Sequence, residues 1–184
     1  IMTLIKSNEK IKSNLNNKYT FDNFVIDEMN NKVAYEFALN VAQDPSKIYN
    51  PLFIYGKNNA GKTHLLHAIR NYIIDNSDLK VLYISSEQFI YDFENSKEED
   101  NSIFRNKFND IDVLLFDDIN YLNSNYEMQK EFFHIFNSLY ANSKQIVLTS
   151  NIAPKDLESF EERLKVRFFW GLIIKINPLN RNQL

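Results

Sequence analysis

A chain of 184 residues, 44% hydrophobic and 24% charged, has the length and apolar content of one soluble globular domain with a real core. Its formal net charge of −3 excludes a surface that is basic all over, so any nucleic-acid contact must come from a local patch. The absence of cysteine excludes disulfides, thiolate chemistry and Cys-ligated zinc, no apolar run approaches the ~18–20 residues of a membrane span, and without a signal peptide the chain reads as cytoplasmic.

Residues 1–17, rich in Lys, Asn and Ser, read as a linker leading into a domain that spans 18–178. "NKVAYEFALNVAQD" (31–44) has apolar residues at helical spacing, and "LFIY" (52–55) is a short buried strand ending at Gly56. A helix over 62–75 follows, then a strand over 81–85. "EQFIYDFENS" and "NSIFRNKFND" predict two helices joined by the acidic tip "KEED". "VLLFDD" (113–118) is a strand ending in acid, "YEMQKEFFHIFNSLYAN" (126–142) a helix, and "QIVLTSN" (145–151) a strand. "PKDLESFEERLKVRF" (154–168) predicts a helix opened by Pro154, and "LIIKI" (172–176) closes the set. Alternation of helices with wholly apolar strands predicts an α/β fold, a parallel sheet covered on both faces.

"GKNNAGKT" (56–63) satisfies G-x-x-x-x-G-K-[ST] between a predicted strand and a predicted helix, the context this phosphate loop requires. Such a loop turns backbone N–H groups onto phosphate oxygens in front of a helix N-terminus. Gly56 is expected to let the chain leave the strand sharply, and Gly61 to permit close approach to the phosphates. Lys62 supplies charge to the β- and γ-phosphates of ATP, and Thr63 a hydroxyl to Mg²⁺. Asn58, Asn59, Ala60 and His64 complete the loop candidates. Asp117, at the end of "VLLFDD", is the second candidate for the Mg²⁺ shell, and Asp118 the candidate to orient or deprotonate an attacking water. At the end of "IVLTSN", Asn151 or Ser150 could reach the γ-phosphate or that water; the alternative is an Asn cap before Pro154. His64 and His67 share a helix face and read as packing residues.

Seven blocks, "YTFDNFV" (19–25), "NPLFIYG" (50–56), "GKTHLLHAI" (61–69), "LLFDDI" (114–119), "QKEFFHIFNSLY" (129–140), "KQIVLTSN" (144–151) and "EERLKVRFFWGL" (161–172), together resemble the AAA+ ATPase domain of the bacterial DnaA family of replication initiators. The resemblance implies a P-loop AAA+ core with five parallel strands in the order 5-1-4-3-2. It implies an ATP/ADP switch that controls oligomer assembly and opening of origin DNA, with slow hydrolysis that the isolated chain performs poorly. Residues 179–184 would begin a connection to a lid, with a helix-turn-helix domain beyond. Implied partners are further copies of the chain, origin DNA, the replicative helicase and regulatory proteins. Phe24 and Val25 become candidates for the adenine pocket, with core packing the alternative. Arg167 matches the arginine finger that reaches a neighbour's γ-phosphate, and Arg163 the other interface arginine; the alternative is pairing with Glu158, Glu161 or Glu162.

The chain departs from the family pattern at named positions. Asn58 and Asn59 stand where glycine is usual, and Asn tolerates positive φ. Asn151 stands where an Asp is typical. Asn125 and Glu127 replace basic residues that commonly grip single-stranded DNA, leaving Lys130 nearby; Arg105 and Lys107 in "FRNKF" read first as a solvated helix face, with compensation for the lost cations as the alternative. A helicase loader or DnaA-related regulator is the nearest alternative function, and a P-loop kinase a more distant one.

Overall fold

Five short apolar runs form one parallel sheet in the computed structural model, which describes residues 18–96 and 101–180. The strands are β1 (Leu52–Tyr55), β2 (Val81–Ser85), β3 (Val113–Asp117), β4 (Gln145–Ser150) and β5 (Leu172–Lys175). Their order, β2-β3-β4-β1-β5, is the expected 5-1-4-3-2 read from the opposite edge. The expected tether (1–17), the acidic tip (97–100) and residues 181–184 lie outside the described residues.

Helices cover both faces, so the strands need apolar side chains in both directions. On one face α1 (Lys32–Gln43) and α2 (Lys62–Asn76) pack against Leu52, Ile54, Val113, Leu115 and Val147. On the other, α3 (Ser86–Glu94), α4 (Ser102–Asn106), α5 (Tyr126–Ala141) and α6 (Glu162–Phe168) pack against Phe53, Leu114, Phe116, Ile146 and Leu148. Phe89 centres this second layer, its ring 5.2 Å from both Phe104 and Phe116. Full burial of such a ring contributes about 1.5–3 kcal/mol. Asn125 caps α5, its Oδ1 accepting from the Met128 amide at 3.2 Å.

The continuous helix expected over 154–168 is broken. A 3₁₀ turn at Pro154–Asp156 is separated from α6 by five non-helical residues, 157–161. The cause is Gln129, buried on α5: its Nε2 donates to the Ser159 carbonyl at 3.0 Å and its Oε1 accepts from the Glu161 amide at 2.8 Å. Those bonds satisfy backbone groups that a helix would otherwise have paired, while Leu157 and Phe160 still reach the core.

Gly56 also has a different reason for being glycine than a sharp exit from the strand. A Cβ there would lie 2.0 Å from the Ile176 carbonyl oxygen, because the chain leaving β5 passes directly over it. The expected freedom of the loop is instead used at Gly61, at φ +101°, and at Asn59, at φ 63°.

Candidate functional site

Strand alternation brings the site together. Val113 and Leu115 point to the face covered by α2, so Asp117, two residues further on, points there as well. Helix α2 begins directly after the loop, and its first turn carries Thr63. The Thr63 hydroxyl donates to Asp117 Oδ2 at 2.8 Å, joining residues 54 positions apart. Asp117 is buried and accepts two further hydroxyls: Tyr83 at 2.7 Å on Oδ2, and Thr149 on Oδ1.

Lys62 is also buried, with its ammonium donating to the Gly56 carbonyl and, at 2.8 Å, to the Lys57 carbonyl. Among the described residues no carboxylate lies within ion-pair distance of it. Burial pushes its pKa below the ordinary value, against the opposing pull of Asp118 and Asp117. An ammonium held by neutral carbonyls, with no carboxylate in direct contact among the described residues, fits an anionic ligand such as a polyphosphate. The Thr63 hydroxyl and Asp117 carboxylate are adjacent hard oxygen donors, the set Mg²⁺ takes when phosphates and water complete its shell. Among the described residues no cluster of three or more His, Asp or Glu side chains forms an all-protein metal site.

Asp118 follows the strand end at φ 61°, ψ 53°, a left-handed turn that a short polar side chain tolerates. Its backbone amide donates to Thr149 Oγ1 at 2.9 Å, so one buried threonine holds both the Asp117 carboxylate and the Asp118 backbone. Burial, and then the neighbouring Asp117 charge, raise the Asp118 pKa. Asn151 is exposed just past β4, its amide bonded to Asn120 Oδ1 at 3.0 Å. Ser150 is buried and its hydroxyl is occupied locally by the Ile152 amide at 3.2 Å.

Beside the loop, a cavity of about 270 Å³ is lined by Phe24, Val25, Asn59, Ala60, Gly61 and His64, among others. Phe24 lines this cavity and also packs on Tyr35 and His64 at 5.6 and 5.0 Å. Val25 is exposed at the rim, its carbonyl held by Asn31 Nδ2 at 2.9 Å. His64 Nε2 lies 2.7 Å from the Thr20 carbonyl oxygen, tying the "YTFDNFV" segment to α2. His67 packs 4.3 Å from the Tyr83 ring, and burial, reinforced by Arg70, lowers its pKa.

The two arginines of α6 lie away from these residues and differ from each other. Arg163 donates to Glu161 at 2.7 Å, the pairing expected of a surface arginine. Arg167 has no carboxylate partner among the described residues. Its Nε donates to Asn137 Oδ1 at 3.0 Å, and its guanidinium sits 4.0 Å from the Trp170 ring centre. In the "FRNKF" segment, Arg105 forms a two-pronged ion pair with buried Glu131, and Lys107 pairs with Asp92 at 3.0 Å. Both cations are thus engaged in holding α4 to its neighbours.

Residue patterns do not single out Tyr83, Thr149, Asn137 or Trp170. Tyr83 and Thr149 sit in apolar strands where they read as ordinary β-formers, and only the strand order places them beside Asp117.

No described helix is long and apolar enough to cross a membrane. The family profile described as the bacterial DnaA ATPase domain matches residues 15–175. Domain III of the Thermotoga maritima replication initiation protein DnaA is 45% identical with a TM-score of 0.87, over 92% of this chain and 71% of that one. AMPPCP-bound DnaA from Aquifex aeolicus is 40% identical with a TM-score of 0.83, over 89% of this chain and 51% of that one. A replication initiator DnaA bound to AMPPCP and single-stranded DNA gives the same identity, TM-score and coverage. The chain therefore spans about half the length of these last two structures. With the profile match covering most of its length, the chain belongs to the bacterial DnaA ATPase domain family.

Proposed function

We propose that the chain binds Mg-ATP and that the bound nucleotide switches assembly of subunits on origin DNA, with slow hydrolysis resetting the switch. The observation that carries this reading is Lys62, a buried ammonium bonded to backbone carbonyls with no carboxylate in ion-pair contact among the described residues, set in the phosphate loop next to the Thr63–Asp117 pair. Relatives of 40% identity bound to AMPPCP, one of them also to single-stranded DNA, support both the nucleotide and the nucleic acid.

In this reading Lys62 and the amides of 58–64 hold the β- and γ-phosphates, and the cavity beside Phe24 and Val25 takes the adenine. Thr63 and Asp117 hold Mg²⁺, which neutralises phosphate charge when bound. Asp118 and Asn151 orient a water whose oxygen attacks the γ-phosphorus as the bond to the bridging oxygen breaks, releasing ADP. Asp118 accepts the water proton. Its short side chain suits a slow reaction, since it reaches the water less well than a glutamate would. Arg167, without a carboxylate partner among the described residues and held by Asn137 and Trp170, reaches the γ-phosphate of a neighbouring subunit. Arg163 lies on the same interface. The chain acts in the cytoplasm, where the replicative helicase and regulators are its further partners.

Calorimetric titration with ATP tests the site. Replacing Lys62 with alanine should weaken ATP binding about 100-fold, the loss of a charge-assisted contact worth on the order of 3 kcal/mol. ATP binding of wild-type strength in Lys62→Ala would refute the assignment.

A further inference from the structure

We infer that Tyr83 is a positioning residue for the Asp117 carboxylate, fixing which oxygen is presented to a divalent cation. The inference rests on the Mg-nucleotide reading of the site and goes beyond it.

The geometry follows from strand register. β2 and β3 pair in parallel, with Tyr83 opposite Leu115 and Ser85 opposite Asp117. Tyr83 and Asp117 therefore lie on the same face, one pleat repeat apart, and a phenol is long enough to span that step. Its hydroxyl donates to Asp117 Oδ2 at 2.7 Å. The ring is held in place by His67 at 4.3 Å, which in turn lies 5.8 Å from Tyr19.

A carboxylate has about four acceptor positions. On Asp117, Oδ1 accepts from the fully buried Thr149 hydroxyl, and Oδ2 from Tyr83 and Thr63. Where Thr63 and Asp117 would hold a cation, the bond between those two groups would be the one given up. The Tyr83 and Thr149 bonds would remain to fix the carboxylate plane. Partners of this kind, bonded to a ligand rather than to the metal, set its orientation, and their loss weakens metal affinity about 10- to 100-fold.

Tyr83→Phe keeps the ring and its packing on His67 and removes one oxygen. ATP affinity would be measured by calorimetry in EDTA and across a Mg²⁺ series, with Tyr83→Leu as a second variant and circular dichroism as the check of folding. Tyr83→Phe should raise the half-saturating Mg²⁺ concentration about 10-fold while leaving the EDTA affinity for ATP unchanged. Tyr83→Leu should show the same cation shift together with lower stability. An unchanged Mg²⁺ requirement in either variant, or an equal loss of ATP affinity with and without Mg²⁺, would overturn the assignment. A wild-type chain whose ATP binding gains nothing from Mg²⁺ would instead refute the underlying reading, and this inference with it.

Discussion

Thr149→Val isolates the polar contribution of the residue that joins the two acids. Thr149 is fully buried, and valine matches it in shape, so neither a cavity nor a clash accompanies the change. Two bonds are lost: the hydroxyl's donation to Asp117 Oδ1 and its acceptance from the Asp118 amide. The first is a bond to a charged group, worth about 1.5–3 kcal/mol, and the second leaves a shielded N–H unsatisfied at about 1–3 kcal/mol. Partial relaxation brings the expected cost to about 3 kcal/mol. Urea unfolding without nucleotide measures it, since bound ligand would add its own stabilisation. Thr149→Ser keeps the hydroxyl and loses a methyl, and should cost only about 1 kcal/mol. If valine proved as stable as wild type, or serine worse than valine, the hydroxyl would not be the link between the acids.

Other substitutions test other parts of the account. Gly56→Ala should prevent β5 from docking, because its Cβ would meet the Ile176 carbonyl at 2.0 Å; a thermal midpoint like that of wild type would contradict this. Arg105→Ala should cost about 2 kcal/mol in urea unfolding by stranding buried Glu131, less than a fully buried pair because the Arg105 side chain is 40% exposed. Asp118 has a folded-state pKa above its unfolded value, so its contribution is fully present below about pH 4 and is lost as pH rises through the folded pKa. Asp118→Asn should therefore raise the thermal midpoint at pH 8, an advantage that shrinks toward pH 4, while hydrolysis falls. Trp170→Ala should weaken ATP-dependent assembly about 2- to 5-fold by removing the ring that supports Arg167, and Trp170→Phe less so.

Local signals made much of this structure legible. The phosphate loop announced itself because glycine, lysine and threonine must occur there at fixed spacing, and apolar strands revealed a sheet covered on both faces. Asp117 was readable because a strand carries its last residue to a predictable face. Tyr83 and Thr149 were not, since their bonds to Asp117 cross 34 and 32 residues of chain and depend on strand neighbours. The break at 157–161 was hidden for a related reason. Leu157, Phe160, Leu164 and Phe168 keep helical spacing, and only Gln129, on another helix, diverts the backbone between them. Gly56 was identified correctly as obligatory, but its reason is the passing Ile176 backbone rather than the loop's turn. Arg105 and Lys107 read as a solvated helix face or as spare cations, whereas Glu131 and Asp92 engage them.

In the proposed function, ATP drives assembly through Arg167 of a neighbouring subunit. Sedimentation velocity of the protein in ATP and in ADP, with and without Arg167→Ala, tests it most directly. Larger species should form in ATP alone and be lost in Arg167→Ala while the affinity for ATP stays at the wild-type value. Equal assembly in ADP, or ATP-dependent assembly that survives the substitution, would contradict it.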